Sequence, residues 1–219
     1  MRTVDYLLND LKPLDTTAEV AATLSLMEEL KVAHLPVVHE QEYVGLIGED
    51  NLLDIDAPEA SLEEHLPMLK PYQIGPEDHL YDAVGQIAKG GLTLLPVVSA
   101  EKSYLGYLSP VEILQDWGRQ ITFSEPGSML VLRIAVRDYH LSQLAQIVES
   151  EDARIVGFQM NSDGPEHLRL SLKINEQDCS RIIKSLERYE YQILEVYHQS
   201  LFDDSGANRY EALMRYLNT

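Results

Sequence analysis

The feature that most constrains this chain is a tetrapeptide, Leu-Pro-Val-Val, which occurs at residues 35–38 and again at 95–98. The match continues downstream, where Tyr-Val-Gly-Leu-Ile at 43–47 aligns with Tyr-Leu-Gly-Tyr-Leu at 104–108. Self-similarity at a fixed period is the signature of a duplicated supersecondary unit. The first half of the chain is therefore predicted to contain two copies of one fold.

Each copy has the same predicted element order. A shared Leu-Lys-Pro, at 11–13 and at 69–71, begins an extended segment, and apolar residues at helical spacing then predict an amphipathic helix. A strand holding the repeated proline follows, then a second strand holding Gly45 or Gly106, and then a short helix. Because proline has no backbone N–H, the proline of each copy is expected to begin its strand or to lie on a sheet edge.

Charge and composition exclude several classes of protein. The net charge is −19, which is the reverse of the basic surface that nucleic acid binding requires. No apolar stretch reaches the roughly 20 residues of a membrane span, and the N-terminus lacks the apolar core of a secretory signal. The single Cys179 fits a reducing compartment. These features predict a cytoplasmic protein that binds neither nucleic acid nor membrane.

Both the charge composition and the predicted order of elements change near residue 125. Residues 1–125 contain 7 lysines and arginines against 22 acids, whereas the remainder is close to balanced. Residues 121–127 are predicted to be a linker, and 128–200 show the order β-α-β-β-α-β, with a turn at 161–165, that is typical of a ferredoxin-like fold. Residues 201–219 are predicted to be a tail with a short helix.

The motifs resemble known families. The hydrophobic-Pro-Val-Val strand and the Gly-hydrophobic-hydrophobic turn, each present twice, resemble a tandem CBS-domain pair (a Bateman module), with repeats at 1–58 and 59–120. The second half resembles an ACT domain in its element order, and the combination is similar to bacterial CBS–ACT proteins of the acetoin-utilisation type. The expected fold class is α+β, with two β-α-β-β-α repeats followed by a βαββαβ domain.

The CBS resemblance implies a cleft that binds an adenine nucleotide or a similar ligand. The family pattern Gly-x-x-(Ser/Thr)-x-x-Asp supplies a hydroxyl to phosphate and a carboxylate to ribose. The second copy keeps Ser109 but has Glu112 for the aspartate, whereas the first copy lacks the hydroxyl and has Asn51. Acids near both motifs disfavour phosphate, so a nucleoside or weakly charged ligand is expected over ATP. The expected cleft residues are Pro96, Val97, Gly106, Ser109 and Glu112, with Pro36, Val37, Gly45 and Asn51 from the first copy.

The ACT resemblance implies an effector turn between the first strand and the first helix, at Asp138, Tyr139, His140 and Ser142. Amino-acid-binding members carry a Pro-Gly pair there, and this chain has none. Since glycine is what lets a ligand approach the backbone closely, amino acid binding at this turn is disfavoured. Ser142 is instead expected to cap the helix.

Two functions remain open. No catalytic constellation is visible, the seven histidines lack metal-ligand spacing, and no cofactor is implied, so the chain is predicted not to be an enzyme. The first hypothesis is a ligand-sensing regulatory protein. The second is a degenerate CBS–ACT pair that serves dimerisation or binds a protein partner, without a small ligand. Both versions predict a homodimer, with paired CBS modules and ACT domains side by side.

Overall fold

The computed structural model describes residues 1–198 and divides the chain into two compact units, one at 1–117 and the other from 118 onward. The helix predicted within 201–219 lies outside the described residues. Each unit contains its own helices and strands.

The first repeat has the predicted element order. It contains the strand β1 (Leu14–Asp15), the helix α1 (Val20–Leu30), the strands β2 (His34–His39) and β3 (Glu42–Gly48), and the helix α2 (Glu49–Leu53). The sheet order is β1-β2-β3, with β1 parallel to β2 and β3 antiparallel to it.

The second repeat has the same order of elements, except that it has no full first strand. A single bridge between Ile74 and Val97 replaces that strand. The helix α3 (Leu80–Gly90), the strands β4 (Leu95–Val98) and β5 (Tyr104–Leu108) and the helix α4 (Pro110–Gly118) follow. The helix α3 ends as expected of a Gly-Gly pair, because Gly91 adopts the left-handed conformation at the C-cap.

The prediction that each repeated proline begins its strand or lies on a sheet edge is wrong for Pro36 and is confirmed for Pro96, because β4 belongs to a two-stranded sheet. Pro36 is the third residue of the central strand β2, and Pro96 is the second residue of β4. The missing N–H at Pro36 is tolerated because β1 is only two residues long and pairs with Val37 and Val38.

The two repeats exchange their leading segments. Leu8 lies before repeat one but pairs with Tyr107 of β5, through backbone hydrogen bonds of 2.9 and 2.8 Å. Lys70 lies before repeat two but pairs with Leu46 of β3, through two bonds of 2.9 Å. Leu8 is thus the structural counterpart of Lys70. The sequence alignment of Leu-Lys-Pro at 11–13 with 69–71 made Lys12 the counterpart of Lys70, and that alignment is therefore wrong.

The N-terminus is anchored on the second repeat by its side chains as well. The Tyr6 hydroxyl donates a 2.5 Å hydrogen bond to Asp116 of α4, and this bond raises the pKa of Tyr6 to about 12. The buried Thr3 donates its hydroxyl hydrogen to the carbonyl of Gly75 at 2.5 Å. Residues 1–8 therefore pack as part of repeat two, although they precede repeat one.

This exchange explains the glycine in each second strand. A Cβ on Gly106 would lie 2.1 Å from the carbonyl oxygen of Leu8, and the φ of Gly106 is +149°. A Cβ on Gly45 would lie 2.8 Å from the Cβ of Leu69. The crossing segments thus require glycine at both positions, whether or not a ligand is present.

The cores of the two repeats are continuous. Leu46 of repeat one is fully buried in the core of repeat two, and Leu11 and Val32 pack against both cores. Part of the hydrophobic stabilisation of repeat one, that from Leu46, therefore depends on repeat two being folded beside it.

The second unit has the predicted order with an added helix. The sheet order is β7-β8-β6-β9, all antiparallel, and helices alternate with strands as βαββαβ. The segment predicted as a linker includes a one-turn helix, whose Thr122 hydroxyl donates to the carbonyl of Val156 at 2.9 Å. The elements are α5 (Ile121–Ser124), β6 (Ser128–Ala135), α6 (Leu141–Glu149), β7 (Ile155–Ser162), β8 (His167–Ile174), α7 (Ser180–Arg188) and β9 (Gln192–His198).

The exchange predicts a specific sensitivity to substitution. Gly106→Ala is expected to lower the free energy of unfolding by about 2–4 kcal/mol, because the new methyl group meets the Leu8 carbonyl at a strained φ. Urea unfolding measures the change. The control is Gly85→Ala on the exposed side of α3, where a Cβ meets no atom within 4 Å. That change is expected to stabilise by about 0.5–1 kcal/mol, and equal effects of the two substitutions would contradict this role of Gly106.

Candidate ligand cavity

A cavity of about 410 Å³ lies in the first unit and is lined by both repeats. Leu26 and Leu30 come from α1 of repeat one, and Val32 follows that helix. Leu94, just before β4, and Tyr107 of β5 come from repeat two. Pockets of roughly 300–1,000 Å³ with apolar walls and a few polar groups are typical of small-molecule sites.

The remaining wall is the segment that carries the chain from one repeat to the other. We call residues 9–13 the strap, since they join Leu8, paired with β5, to Leu14 in β1. Asp10, Leu11 and Lys12 of the strap line the cavity. A ligand there would contact the strap and both repeats at once.

The polar groups that line the cavity are one carboxylate, one ammonium group and one phenol, from Asp10, Lys12 and Tyr107. The Tyr107 hydroxyl donates a 3.0 Å hydrogen bond to Oδ1 of Asp10. Burial, this bond and the negative charges of Asp10 and Glu112 raise the pKa of Tyr107, which places Glu112 in the same electrostatic environment. Lys12 carries the only positive charge among the eight lining residues.

None of the expected cleft residues of the second copy lines this cavity. Pro96 and Val97 are buried within the strand, and Gly106 accommodates the crossing segment. Ser109 stands at the start of α4, where its Oγ accepts from the Glu112 backbone N–H at 3.5 Å. The Glu112 side chain is exposed.

The first-copy residues have a similar distribution. Pro36, Val37 and Gly45 are buried, and only Asn51 is partly accessible. A Cβ on Gly48 would lie 3.4 Å from Oδ1 of Asn51 and 3.6 Å from the ring of His34. Asn51 and His34 therefore both approach the backbone at Gly48.

His34 also connects the repeats. Its Nδ1 accepts from the backbone N–H of Thr93 at 3.3 Å, and the Thr93 hydroxyl accepts from the N–H of Ala33 at 3.1 Å. Burial lowers the pKa of His34, and the positive charge of Lys70 lowers it further, while Asp50 opposes the shift. An acceptor Nδ1 and a lowered pKa both indicate a neutral imidazole at this contact.

None of the eight residues that line the cavity was among the cleft residues predicted from the sequence. Asp10 lies outside every repeated motif, Lys12 belongs to the repeated Leu-Lys-Pro, which was read only as the start of an extended segment, and the walls from α1 look like an ordinary amphipathic helix face. Tyr107 stands next to Gly106 inside the recognised motif, so its position did give a signal. The Leu-Lys-Pro repeat did not show that the strap lines the cavity, because the place of the strap depends on the exchange of leading segments.

The turn with an expected effector role in the second unit is largely solvent-facing. Asp138, His140 and Ser142 are exposed, and Tyr139 packs against Phe158 with ring centroids 6.4 Å apart. The prediction that Ser142 caps the helix is wrong. The helix α6 begins at Leu141 with His140 at the N-cap, so Ser142 lies inside the first turn.

A second cavity, of about 470 Å³, lies in the second unit near the start of α7. Its lining is polar apart from Pro126 and includes an ion pair of 3.6 Å between Arg154 and Glu125. Since small-molecule sites usually have apolar walls, the cavity of the first unit is the better candidate.

Two further classes of site are absent from residues 1–198. No three histidine, cysteine, aspartate or glutamate side chains converge as a bound metal ion would require. None of the helices in this part of the chain combines the length and the hydropathy of a membrane span.

A family model of the CBS domain matches residues 5–57, which is the first repeat with most of its leading segment. Among solved structures, the chain is similar to a CBS domain pair/ACT domain protein from Thermotoga maritima. The two are 20% identical, with 53% of this chain and 96% of that one covered and a TM-score of 0.48. Among curated proteins, none matches the sequence.

Two other solved structures show the same level of similarity. A Vibrio cholerae protein described as an acetoin utilization protein, AcuB, is 21% identical over 53% of this chain and 90% of that one, with a TM-score of 0.46. A protein named CBSX2, solved in complex with AMP, is 22% identical over 53% and 95%, with a TM-score of 0.44. At TM-scores below 0.5 these similarities do not extend to function.

The His34 contact predicts a pH-dependent stability. A histidine with a lowered pKa in the folded state resists protonation there, whereas the unfolded chain binds the proton below about pH 6.5. The free energy of unfolding should therefore fall as the pH drops through this range. In His34→Asn the amide oxygen can accept from Thr93 without titrating, so this part of the pH dependence should disappear.

Urea unfolding at pH 7.5 and 5.5 measures the difference between the two proteins, since all other titrating groups are shared. The control, His140→Asn, alters an exposed histidine that makes no contact between the repeats. Identical pH dependence in wild type and His34→Asn would contradict the assignment.

Proposed function

We propose that this protein is a non-catalytic, ligand-sensing regulatory protein whose first unit binds an adenine nucleotide or nucleoside in the cavity between the repeats. The observation that carries the proposal is the composition of that cavity. Its walls come from α1, from repeat two and from the strap, and its volume of about 410 Å³ is that of a small-molecule site.

The position of the cavity suits a sensor. A ligand shifts a conformational equilibrium only by the difference in its affinity for the two states, typically about 1–3 kcal/mol. An occupant here would favour the arrangement in which both repeats and the strap are closed around it. Such an effect could pass to a partner through the exposed helix α4, whose Asp116 holds the N-terminal segment.

Several parts of the proposal rest on the sequence. The resemblance to CBS–ACT proteins implies the ligand class and an ACT-type second unit, to which the βαββαβ order of this unit conforms. The single cysteine, which is buried and free, is consistent with work in the cytoplasm.

The experiment is isothermal calorimetry of the full chain with adenosine, AMP, ADP, ATP and S-adenosylmethionine. Heat with at least one of these at millimolar concentration or below is expected. Absence of heat with all five would contradict nucleotide or nucleoside sensing.

A substitution that fills the cavity should abolish this binding. Leu30 is 43% exposed and lines the cavity, so Leu30→Trp places an indole there with little disturbance of the core. The affinity of the best ligand should fall at least about tenfold, equivalent to 1.4 kcal/mol, with an unchanged melting temperature. The control is Leu53→Trp on α2, a residue that is 65% exposed and does not line the cavity. Equal affinities for the two variants would place the ligand elsewhere.

A second function is favoured by the exposed apolar surface. In α4, Val111 and Leu114 are 60% and 69% exposed and lie three residues apart, on one face of the helix. In the second unit, β7 is an edge strand without a charged residue, and it exposes Phe158 and Met160. An uncharged edge strand is a ready template for pairing. These surfaces support the alternative of a dimerisation or protein-interaction module without a small ligand.

Both functions predict a homodimer. Light scattering at micromolar concentration is expected to give twice the chain mass of 24.8 kDa. Charged substitutions should separate the two surfaces, since Leu114→Glu would weaken pairing through α4 and Met160→Glu pairing through β7. A monomer in the wild type would contradict the homodimer.

A further inference from the structure

The internal repeat defines a second position that is equivalent to the cavity. The helices α1 and α3 begin at Val20 and Leu80, each has 11 residues, and each ends in a left-handed C-cap. The cavity wall that comes from α1 therefore has a counterpart on α3. At this spacing, the counterparts of the cavity residues Leu30, Val32 and Leu94 are Gly90, Leu92 and His34.

The strap has a shorter counterpart at residues 71–73. These residues join the segment that pairs with β3 to the segment that bridges to β4. Two hydrogen bonds from side chains hold them in place. The Gln86 amide of α3 donates to the carbonyl of Gln73 at 3.0 Å, and the Tyr43 hydroxyl donates to the carbonyl of Tyr72 at 2.7 Å. The segment is thus attached to both repeats.

The ring of Tyr72 lies against the end of α3. A Cβ on Gly90 would lie 2.9 Å from the ring carbon Cζ of Tyr72 and 2.8 Å from the side chain of Leu92. Because glycine has no side chain, the ring can approach the helix backbone closely. In the first repeat the equivalent residue is Leu30, which is 43% exposed and lines the open cavity. The ring therefore takes up the space at α3 that is left open at α1.

We infer that this second position is a binding site for an uncharged aromatic ring, and that the Tyr72 side chain is its built-in occupant. We call it the Tyr72 site, and its walls are Gly90 and Leu92. A free ligand can then enter only the cavity at α1, so each chain takes up one ligand instead of two. The count of one rests on the proposed function, whereas the occupancy by Tyr72 does not depend on it.

The exposure of Tyr72 suits an occupied surface site. Its ring packs against the core of repeat two, yet the residue is only half-buried. Removal of a large side chain leaves a cavity when its surroundings relax only partly, and an apolar cavity of this kind binds small aromatic compounds. Since the ring is partly exposed, the space it leaves is open to solvent. A ligand can reach it without unfolding of the repeat.

The test is methyl NMR of the full chain, with p-cresol and the larger β-naphthol as probes, in wild type and in Tyr72→Ala. The methyl groups of Leu92 report on the Tyr72 site, and those of Leu30 report on the cavity. In Tyr72→Ala, both probes are expected to shift the Leu92 methyl resonances in a saturable way. The affinity at this site should be at least about tenfold higher than in wild type.

The two probes separate a ligand site from ordinary packing. A void that is only the imprint of the lost side chain holds p-cresol but not the bicyclic β-naphthol. Binding of p-cresol alone would therefore show that Tyr72 is a packing residue, and the inference would be wrong. An equal response of the Leu92 methyl groups in wild type and Tyr72→Ala would also overturn it, since the ring would not then block the site.

The matched control is Tyr81→Ala, which removes the same ring from a 67% exposed position on α3. It should leave the response of Leu92 at the wild-type level. If Tyr72→Ala is not folded by thermal unfolding, Tyr72→Val keeps part of the packing. That variant should still gain saturable binding of p-cresol at Leu92, and no gain would contradict the inference.

The failure of the proposed function would look different. Adenosine should shift the Leu30 methyl resonances of the wild type if the cavity at α1 is the ligand site. No response of Leu30 to adenosine or AMP, together with β-naphthol binding at Leu92 in Tyr72→Ala, would remove nucleotide sensing and leave the Tyr72 site standing.

Discussion

The first unit depends on two pairs of backbone hydrogen bonds, which join Leu8 to Tyr107 and Lys70 to Leu46. Each pair attaches the leading segment of one repeat to the second strand of the other. Buried backbone groups are costly to leave unpaired, so neither repeat satisfies its own sheet without the other. The continuous core at Leu46 follows from the same crossing.

The candidate site is a consequence of this exchange. The chain must return from repeat two to repeat one after Leu8, and the return path forms a wall of the cavity. The two repeats differ here, because the strap between Leu8 and Leu14 has two more residues than its counterpart between Lys70 and Ile74. On the opposite side, His34 occupies the position equivalent to Leu94 and bonds to Thr93 across the repeats. A duplicated sequence has thus produced one open cavity and one polar contact.

The recognised motif residues perform structural roles in this chain. Gly45 and Gly106 make room for crossing backbone, the Pro-Val-Val segments form buried strands, and Ser109 directs its oxygen to the first turn of α4. The recognised motif shows that glycine, proline and serine occupy these positions. It does not show whether each residue is required for packing or for binding, because the same residue types serve both. For glycine the steric requirement of the Leu8 carbonyl is sufficient explanation.

The sequence by itself determined the elements of both units, since hydrophobic periodicity and an internal repeat depend only on local spacing. It predicted the β-α-β-β-α order, the βαββαβ order and the turn after β7. It could not place the strap, because Asp10 and Lys12 reach the cavity only after Leu8 pairs with a strand about 100 residues away. It also misplaced Pro36 and Ser142, whose positions depend on where neighbouring strands and helices end. Long-range pairing decided which side chains share a cavity, and no local pattern encodes that pairing.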